Sequence, residues 1–366
     1  MKALIFISTM SRGGAARVTS TLCHEMVKAG YDVHIATNIE TSSIFYKLPL
    51  EINMHNFYVK KQGIGLWHSI KMNIGYFRSA RRIIKEVQPD IIIGVEPRIF
   101  MYTKIGCIGL NIPIIASDHT TFNLKQDRLT DFIRYKFYGT ANALTILTQK
   151  DYNLLGNKFK NKTIIYNPIS FPVLTSATNR KQNILCAGRL DAWEIKGFDM
   201  MLDCWQSLAN MYPDWILEIA GDGKAETVSF IQKLIKERGL NDRVILLGQV
   251  ENMQEKLSQT SIFALSSRAE GFPMVLMEAM SQGCACVAFE VGGATSEMIT
   301  NNEDGIIIKD LDTKSFTNAL SLLMKSSELR DKLSANALKS IQRFSPESFM
   351  ESWNNLICCV INKKHR

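Results

Sequence analysis

Short apolar runs alternate with longer stretches of helical spacing along nearly the whole chain, and this alternation leaves few folds open. The first series of strand-like runs is Lys2–Thr9, Val33–Thr37, Ile52–Phe57, Ile91–Val95, Ile114–Ser117, Ala143–Leu147 and Thr163–Tyr166. A second series begins with Asn183-Ile-Leu-Cys-Ala-Gly188 and continues through Trp215–Ala220, Val244–Leu247, Ile262–Leu265, Ala285–Phe289 and Gly305–Ile308. Strands that alternate with helices need crossover connections, so their sheets are parallel and covered on both faces. A length of 366 residues exceeds what one ordinary core organises, which favours two domains. The polar stretch Thr175–Gln182 between the two series reads as a hinge. The expected architecture is α/β, with doubly wound parallel-sheet domains of Rossmann type at residues 1–178 and 179–345. Residues 346–366 form a separate terminal segment, an amphipathic helix opening at Ser345-Pro346.

Composition removes several classes of protein. The hydrophobic share of 46% with 21% charged residues belongs to a folded globular chain. The N-terminal run Ala3–Ser8 is short, lacks a basic flank and leads into Ser11-Arg12-Gly13-Gly14, so it reads as a buried strand rather than a secretory signal. No run approaches the roughly 20 apolar residues of a membrane-spanning helix. The eight cysteines are scattered, with no second pair at zinc spacing beside Cys284-Ala-Cys286 or Cys358-Cys359. Buried, reduced thiols in a cytoplasmic protein are expected, and no metal site.

Charge is unevenly placed. Residues 1–180 hold about 23 Lys and Arg against about 11 Asp and Glu, so the net +8 belongs to the first half. Much of it lies in Lys60, Lys61, Lys71, Arg78, Arg81, Arg82 and Lys85, interleaved with Leu66, Trp67, Ile70, Ile74, Tyr76 and Phe77. That composition suits a basic amphipathic segment on an anionic membrane surface; a helix with its apolar stripe in the core and its charges solvated is the plainer alternative. No motif for nucleic acid accompanies the charge, so nucleic acid is not an expected partner.

The segments that carry chemistry sit where strands end. In Ser267-Arg-Ala-Glu270-Gly271-Phe272-Pro273-Met274-Val-Leu-Met-Glu278, Glu270 leaves a strand and Glu278 lies two turns into the next helix. Open α/β sheets bind ligands at such strand ends, and two carboxylates facing one crevice suit a polyhydroxylated ligand. Gly188-Arg189-Leu-Asp-Ala-Trp-Glu-Ile-Lys196-Gly197 places an Arg and a Lys where they can neutralise a diphosphate. Ser11-Arg-Gly-Gly14 opens a helix with paired glycines, which permits close backbone approach to an anionic or polar ligand. It lacks G-x-G-x-x-G spacing, so a dinucleotide fingerprint is not met. Asp118-His119 occupies another strand end. Solvated loop charges and a structural histidine are the plain readings of each segment taken singly.

Together these segments resemble the E-x7-E retaining glycosyltransferases of the GT-B fold, glycosyltransferase family 4 (glycosyl transferases group 1), of bacterial surface-polysaccharide type. The likeness spans nearly the whole chain and is most specific from Gly188 to Glu297. It extends to Gly221-Asp-Gly223, to Leu246-Leu-Gly248-Gln-Val250, whose backbone would pair with the base, to Val291-Gly-Gly293, and to Asn167-Pro168. The Arg189-to-Lys196 spacing is two residues longer than in most members.

The resemblance implies transfer of a hexosyl residue from a nucleotide sugar, expected to be a UDP-sugar, to a glycan hydroxyl, with retention and without a metal or cofactor. Glu270, His119, Arg189 and Lys196 would be the catalytic set. Gly14, Arg189, Lys196, Gly248, Gly271, Phe272, Pro273, Met274 and Glu278 would bind the donor, and Asp118 would position the acceptor. The donor would sit in the second half and the acceptor in the first, across an interdomain cleft, with the terminal helix crossing back to the first domain. The acceptor would be lipid-linked, and the protein cytoplasmic and peripheral on the inner membrane face. The rivals are a GT-B UDP-sugar 2-epimerase, a soluble polymerase of glycogen-synthase type, and a non-catalytic membrane-surface binding module.

Overall fold

The computed structural model describes residues 1–41, 43–60, 65–175, 179–309 and 311–364, with backbone only at positions 66 and 364. Lys61 of the basic segment and residues 176–178 of the expected hinge therefore lie outside the described residues. All thirteen apolar runs fall on strands: β1 (Lys2–Phe6), β2 (Asp32–Thr37), β3 (Asn53–Asn56), β4 (Ile91–Val95), β5 (Ile114–Ser117), β6 (Ala143–Ile146), β7 (Lys162–Ile164), β8 (Lys181–Ala187), β9 (Ile216–Ala220), β10 (Val244–Gly248), β11 (Thr260–Leu265), β12 (Ala285–Phe289) and β13 (Ile306–Ile308). The first seven form a sheet of order β3-β2-β1-β4-β5-β6-β7, the other six a sheet of order β10-β9-β8-β11-β12-β13. Every named strand pair is parallel. The expected pair of doubly wound sheets is thus present.

The apolar runs of the central strands are continuous because both faces of these strands are covered. β4, β5, β11 and β12 are buried along their whole length. A fully buried Ile or Leu contributes roughly 1.5–3 kcal/mol, so a polar residue inside these strands would be costly, and polar chemistry is pushed to the strand ends. In each sheet the chain order reverses once at the centre, between β1 and β4 and between β8 and β11. Such a reversal leaves a crevice at the carboxyl edge, because the following helices depart to opposite sides.

The chain divides into two compact units, Met1–Pro168 with Pro346–Arg366, and Ile169–Ser345. The division falls at Pro168/Ile169, ahead of the expected boundary at 178/179. Backbone pairing is the reason: Ile169 N–H donates to Phe344 O and Leu174 N–H to Ser281 O, each at 2.8 Å. The terminal helix Pro346–Lys364 is clustered with the first unit, where Tyr31 donates to Asn354 Oδ1 at 2.6 Å. Its Cys358 and Cys359 are exposed, contrary to the expectation of buried thiols, because Ile357 and Val360 take the inward positions. The other six cysteines are buried, and burial pushes the Cys23 and Cys284 thiols up to about 12.

Four helices of the first unit matter below: α1 (Gly14–Lys28), α2 (Leu66–Val87), α3 (Pro97–Gly106) and α4 (Arg128–Tyr135). Among the described residues, no helix is long and apolar enough to cross a membrane. α4 delivers Arg134, fully buried, to Asp118 at the end of β5, with Nε to Oδ2 at 2.8 Å. The same Asp118 accepts from Tyr138 Oη at 3.1 Å and from Thr120 N–H at 2.9 Å. Its carboxylate is committed to the fold, which overturns the expectation that Asp118 positions an acceptor. Removing one member of a buried pair strands the other charge, at about 3–5 kcal/mol. Asp118→Ala is therefore expected to lower the urea midpoint by that equivalent at unchanged m-value, whereas Asp118→Leu with Arg134→Met loses less. Equal losses in the two variants would refute the pairing account.

Candidate functional site

In the second unit the β8–β11 crevice is built from backbone packed against backbone. Gly188 N–H donates to Ala220 O at 2.9 Å and Gly221 N–H to Gly248 O at 2.8 Å, which ties together the ends of β8, β9 and β10. A Cβ on Gly221 would lie 1.8 Å from Gly188 O, and one on Gly197 would lie 1.9 Å from Ser266 O. Gly197 also has φ +65°, the left-handed region that glycine enters freely. The long Arg189-to-Lys196 spacing is taken up by a short 3-10 turn, Leu190–Ala192, and one helical turn, Trp193–Lys196. These lay the Lys196 stem against Gly188, where a Cβ would meet its Cδ and Cγ at 2.9 Å.

Lys196 Nζ reaches Glu270 Oε1 at 2.7 Å, across the point where the strand order reverses. The side chains are 22% and 13% exposed, so the pair is shielded yet reachable. Ser267 Oγ donates to the same Oε1 at 2.6 Å, and Ser266 Oγ holds the Lys196 carbonyl at 2.9 Å. The loop between them is braced from behind. Arg268 N–H donates to Ile195 O at 2.7 Å, and the Arg268 guanidinium grips both oxygens of Asp199, at 2.7 and 2.6 Å. The Asp199 carboxyl sits below the usual range: desolvation pushes it up, but the hydrogen bonds and charge of Arg268 outweigh that.

The other expected residues fall around this pair. Arg189 is exposed just past β8, and its charge helps hold the Asp191 carboxyl below the usual range, after the stronger effect of hydrogen bonds from Lys224 N–H and Thr227 Oγ1. Glu278 is 3% exposed within the helix Met274–Ser281. Phe272 is buried edge-on to Phe344, with ring centroids 6.0 Å apart, so Gly271–Met274 can offer a ligand backbone rather than the Phe ring. Gly248 ends β10 with φ +63° and open space about it. The glycines after β12 are closed from within, where Glu290 accepts from Gly293 N–H at 3.0 Å and from Ser296 N–H at 3.1 Å.

In the first unit Gly14 opens α1, after a Gly13 N-cap without a side-chain cap and with no acidic residue in the first turn. His119 Nε2 lies 3.2 Å from Ser117 Oγ, which accepts from Thr145 Oγ1 at 2.9 Å. Asn167 lies beside the ring, yet neither His119 Nδ1 nor Asn167 Oδ1 closes a hydrogen bond of good geometry. Burial pushes the imidazole pKa down, more than Asp118 and Asn167 push it up. A neutral ring that exchanges hydrogen bonds is the outcome at neutral pH.

Ser267, Arg268 and Glu290 were missed by the sequence reading. A serine three residues before Glu270 and an Arg-Asp pair 69 positions apart carry no local signal.

The family model for Glycosyltransferase Family 4 matches residues 12–171, and that for Glycosyl transferases group 1 matches residues 175–340. An uncharacterized glycosyltransferase of Haemophilus influenzae is 29% identical over 354 residues, covering 95% of this chain and 97% of that protein. The GalNAc-alpha-(1->4)-GalNAc-alpha-(1->3)-diNAcBac-PP-undecaprenol alpha-1,4-N-acetyl-D-galactosaminyltransferase of Campylobacter jejuni is 27% identical, covering 99% of each chain. Among solved structures, Anabaena HepE in complex with UDP and glucose superimposes with a TM-score of 0.78 at 16% identity, over 98% of this chain and 100% of that one, a likeness of fold.

Three glycines separate the effects of strain and collision. Gly239 has φ +68° with open space around it, whereas Gly197 combines φ +65° with the 1.9 Å approach. Gly239→Ala is expected to cost about 1 kcal/mol, while Gly197→Ala and Gly221→Ala must displace backbone and cost several-fold more. Thermal unfolding of the three variants decides it, and equal melting temperatures would contradict the packing described.

Proposed function

This chain belongs to the glycosyltransferases of group 1 and family 4, and we propose that it is a retaining, metal-independent hexosyltransferase of bacterial surface-polysaccharide synthesis. In this reading it moves a hexosyl residue from a UDP-sugar to a hydroxyl of a lipid-linked or surface-polysaccharide glycan, at the inner face of the cytoplasmic membrane. The observation that carries the reading is the Lys196–Glu270 pair, held across the second unit's switch point by glycines that admit no side chain. The acceptor class is supported by the undecaprenol-linked substrate in the name of the Campylobacter relative, and the uridine by the UDP in the Anabaena complex.

The chemistry follows from charge. As the bond between the anomeric carbon and the diphosphate oxygen breaks, negative charge grows on the diphosphate. Arg189 and Lys196 stabilise it, the Arg as a planar fork and the Lys as a point charge. The acceptor oxygen bonds to the anomeric carbon on the face the diphosphate leaves, and a diphosphate oxygen takes its proton. Glu270 accepts hydrogen bonds from donor-sugar hydroxyls, and Glu278 from the ribose. The backbone of Gly271–Met274 lines the sugar and phosphates, and that of Gly248 borders the base. Lys196→Ala and Glu270→Ala are each expected to lower the transfer rate by about 10²–10³ with melting temperatures near wild type. Wild-type turnover in either would refute the assignment. A thermal-shift screen against UDP, GDP and ADP names the base, since a ligand that prefers the folded state raises its melting temperature.

Membrane attachment is supported by α2. Trp67, Ile70, Lys71, Ile74, Arg78 and Lys85 recur at helical spacing and are all exposed, Trp67 by 76%. Tyr76 and Phe77 instead pack on the core, and Arg81 is spent on the carbonyls of Gly106 and Ile108, at 3.0 and 2.7 Å. The surface charges are therefore Lys71, Arg78 and Lys85, with Arg82 beside Glu86 at 3.5 Å. A basic residue near an anionic membrane contributes about 1 kcal/mol, so the triple change Lys71→Glu, Arg78→Glu, Lys85→Glu weakens binding on the order of 10²-fold or more. Sedimentation with phosphatidylglycerol vesicles measures it. Unchanged binding would remove α2 from the membrane face.

A further inference from the structure

The first unit has its own switch point, between β1 and β4, and a carboxylate stands in it that neither the family likeness nor the sequence reading singled out. Glu96 directly follows β4, with φ 74° and ψ 148°, a region that residues other than glycine rarely enter. It also precedes Pro97, and the residue before a proline is ordinarily held in the extended region. The backbone is fastened in this conformation. Glu96 N–H donates to Ser117 O, and Phe100 N–H donates to Glu96 O, both at 3.0 Å.

The side chain is turned across the crevice to the loop after β1. There the carboxylate lies beside the Ser8 hydroxyl and backbone N–H, which favour its charged form. Burial nevertheless outweighs the influence of Ser8 and raises its pKa, with the neighbouring Asp118 charge adding to the rise. Asp118, held by Arg134, and Tyr138 face it from the β5 side. Neither the backbone conformation nor the neighbouring Ser8 requires a charge here: glycine would adopt the conformation freely, and a glutamine would face Ser8 without the desolvation of a carboxylate.

A partly buried carboxylate on strained backbone, at the place where open parallel sheets take ligands, is the arrangement of a binding group. Its sign excludes a phosphate and suits hydroxyls, which donate to it. We infer that Glu96 is a hydroxyl-binding carboxylate of the acceptor subsite, the first unit's counterpart of Glu270, and that it takes a sugar hydroxyl next to Ser8. This rests on the glycosyltransferase reading above.

The sign of the pH effect follows from the raised pKa. A carboxyl whose folded pKa lies above its unfolded value adds stability at low pH, and that stability is lost as pH rises through the folded pKa. The other titratable groups named here are the same in wild type and variant, so the difference between the two isolates Glu96. Glu96→Gln is therefore expected to melt above wild type at pH 8 and together with it at pH 4. Transfer from the UDP-sugar to octyl glycosides should fall by about tenfold or more, as a charged hydrogen bond to the acceptor is lost. The UDP-induced shift in melting temperature and donor hydrolysis without acceptor should stay at wild-type values.

A variant that melts below wild type at pH 8, or that transfers at the wild-type rate, overturns the inference. If UDP and UDP-sugars leave the wild-type melting temperature unmoved, the UDP-donor reading has failed instead. The subsite is then decided by NMR line broadening of the octyl glycosides: broadening that wild type produces and Glu96→Gln does not upholds it, and equal broadening overturns it.

Discussion

A parallel sheet must be covered on both faces, and nearly everything else in this protein follows from that requirement. Strands such as β4 and β12, buried from end to end, have no room for polar side chains along their length. Apart from Glu218 of β9, held by Lys256 at 2.6 Å, charge near the sheet centres is displaced to the carboxyl edge, where strands pass into loops. Each sheet reverses its order once, and each reversal holds a carboxylate: Glu270 beyond β11, paired with Lys196, and Glu96 beyond β4, beside Ser8. The two units solve the same geometric problem with different partners. A carboxylate with a lysine beside it makes a place for both anionic and hydroxylic groups, whereas one without a cation favours hydroxyls.

Rigidity at these edges comes from backbone against backbone. Gly188, Gly197 and Gly221 are required where a carbonyl or a lysine stem occupies the space of a Cβ. The ion pair between Lys196 and Glu270 is thus placed by main-chain packing and then trimmed by Ser266, Ser267 and Arg268. In the first unit Asp118 and Arg134 do the corresponding work as a buried pair, closing the loop after β5 beneath His119. A charge used in that way is unavailable to a ligand, so two adjacent residues, Asp118 and His119, have different fates.

Legibility differed sharply between fold and site. The central strands were readable because double burial writes itself as an uninterrupted apolar run, such as Ile91-Ile-Ile or Ile114-Ile-Ala, whereas the edge strands β3 and β7 are short, partly polar and only partly covered. Glu270, Lys196 and Glu278 could be picked out because each lies in a motif at fixed spacing from a strand end. Asp118 could not be told from a ligand-binding acid, since its partner Arg134 arrives from another helix. Arg81 looked like one more basic residue of α2 until its guanidinium was found on the carbonyls of Gly106 and Ile108. Glu96 gave no signal at all, because a glutamate before a proline is unremarkable until its φ is seen.

The sequence by itself determined the alternation of strands and helices, the two parallel sheets and the set of loops that could carry chemistry. Those depend on periodicity and local composition, which are properties of neighbours along the chain. Tertiary structure alone decided which charges are spent and which remain. Asp118 is consumed by the fully buried Arg134, and Arg268 by both oxygens of Asp199, while Lys196 and Glu270 meet through a single carboxylate oxygen at the strand ends. The reason is physical: whether a charge is available depends on the desolvation and the partners it meets in space, and those partners lie 16, 69 and 74 positions away along the chain.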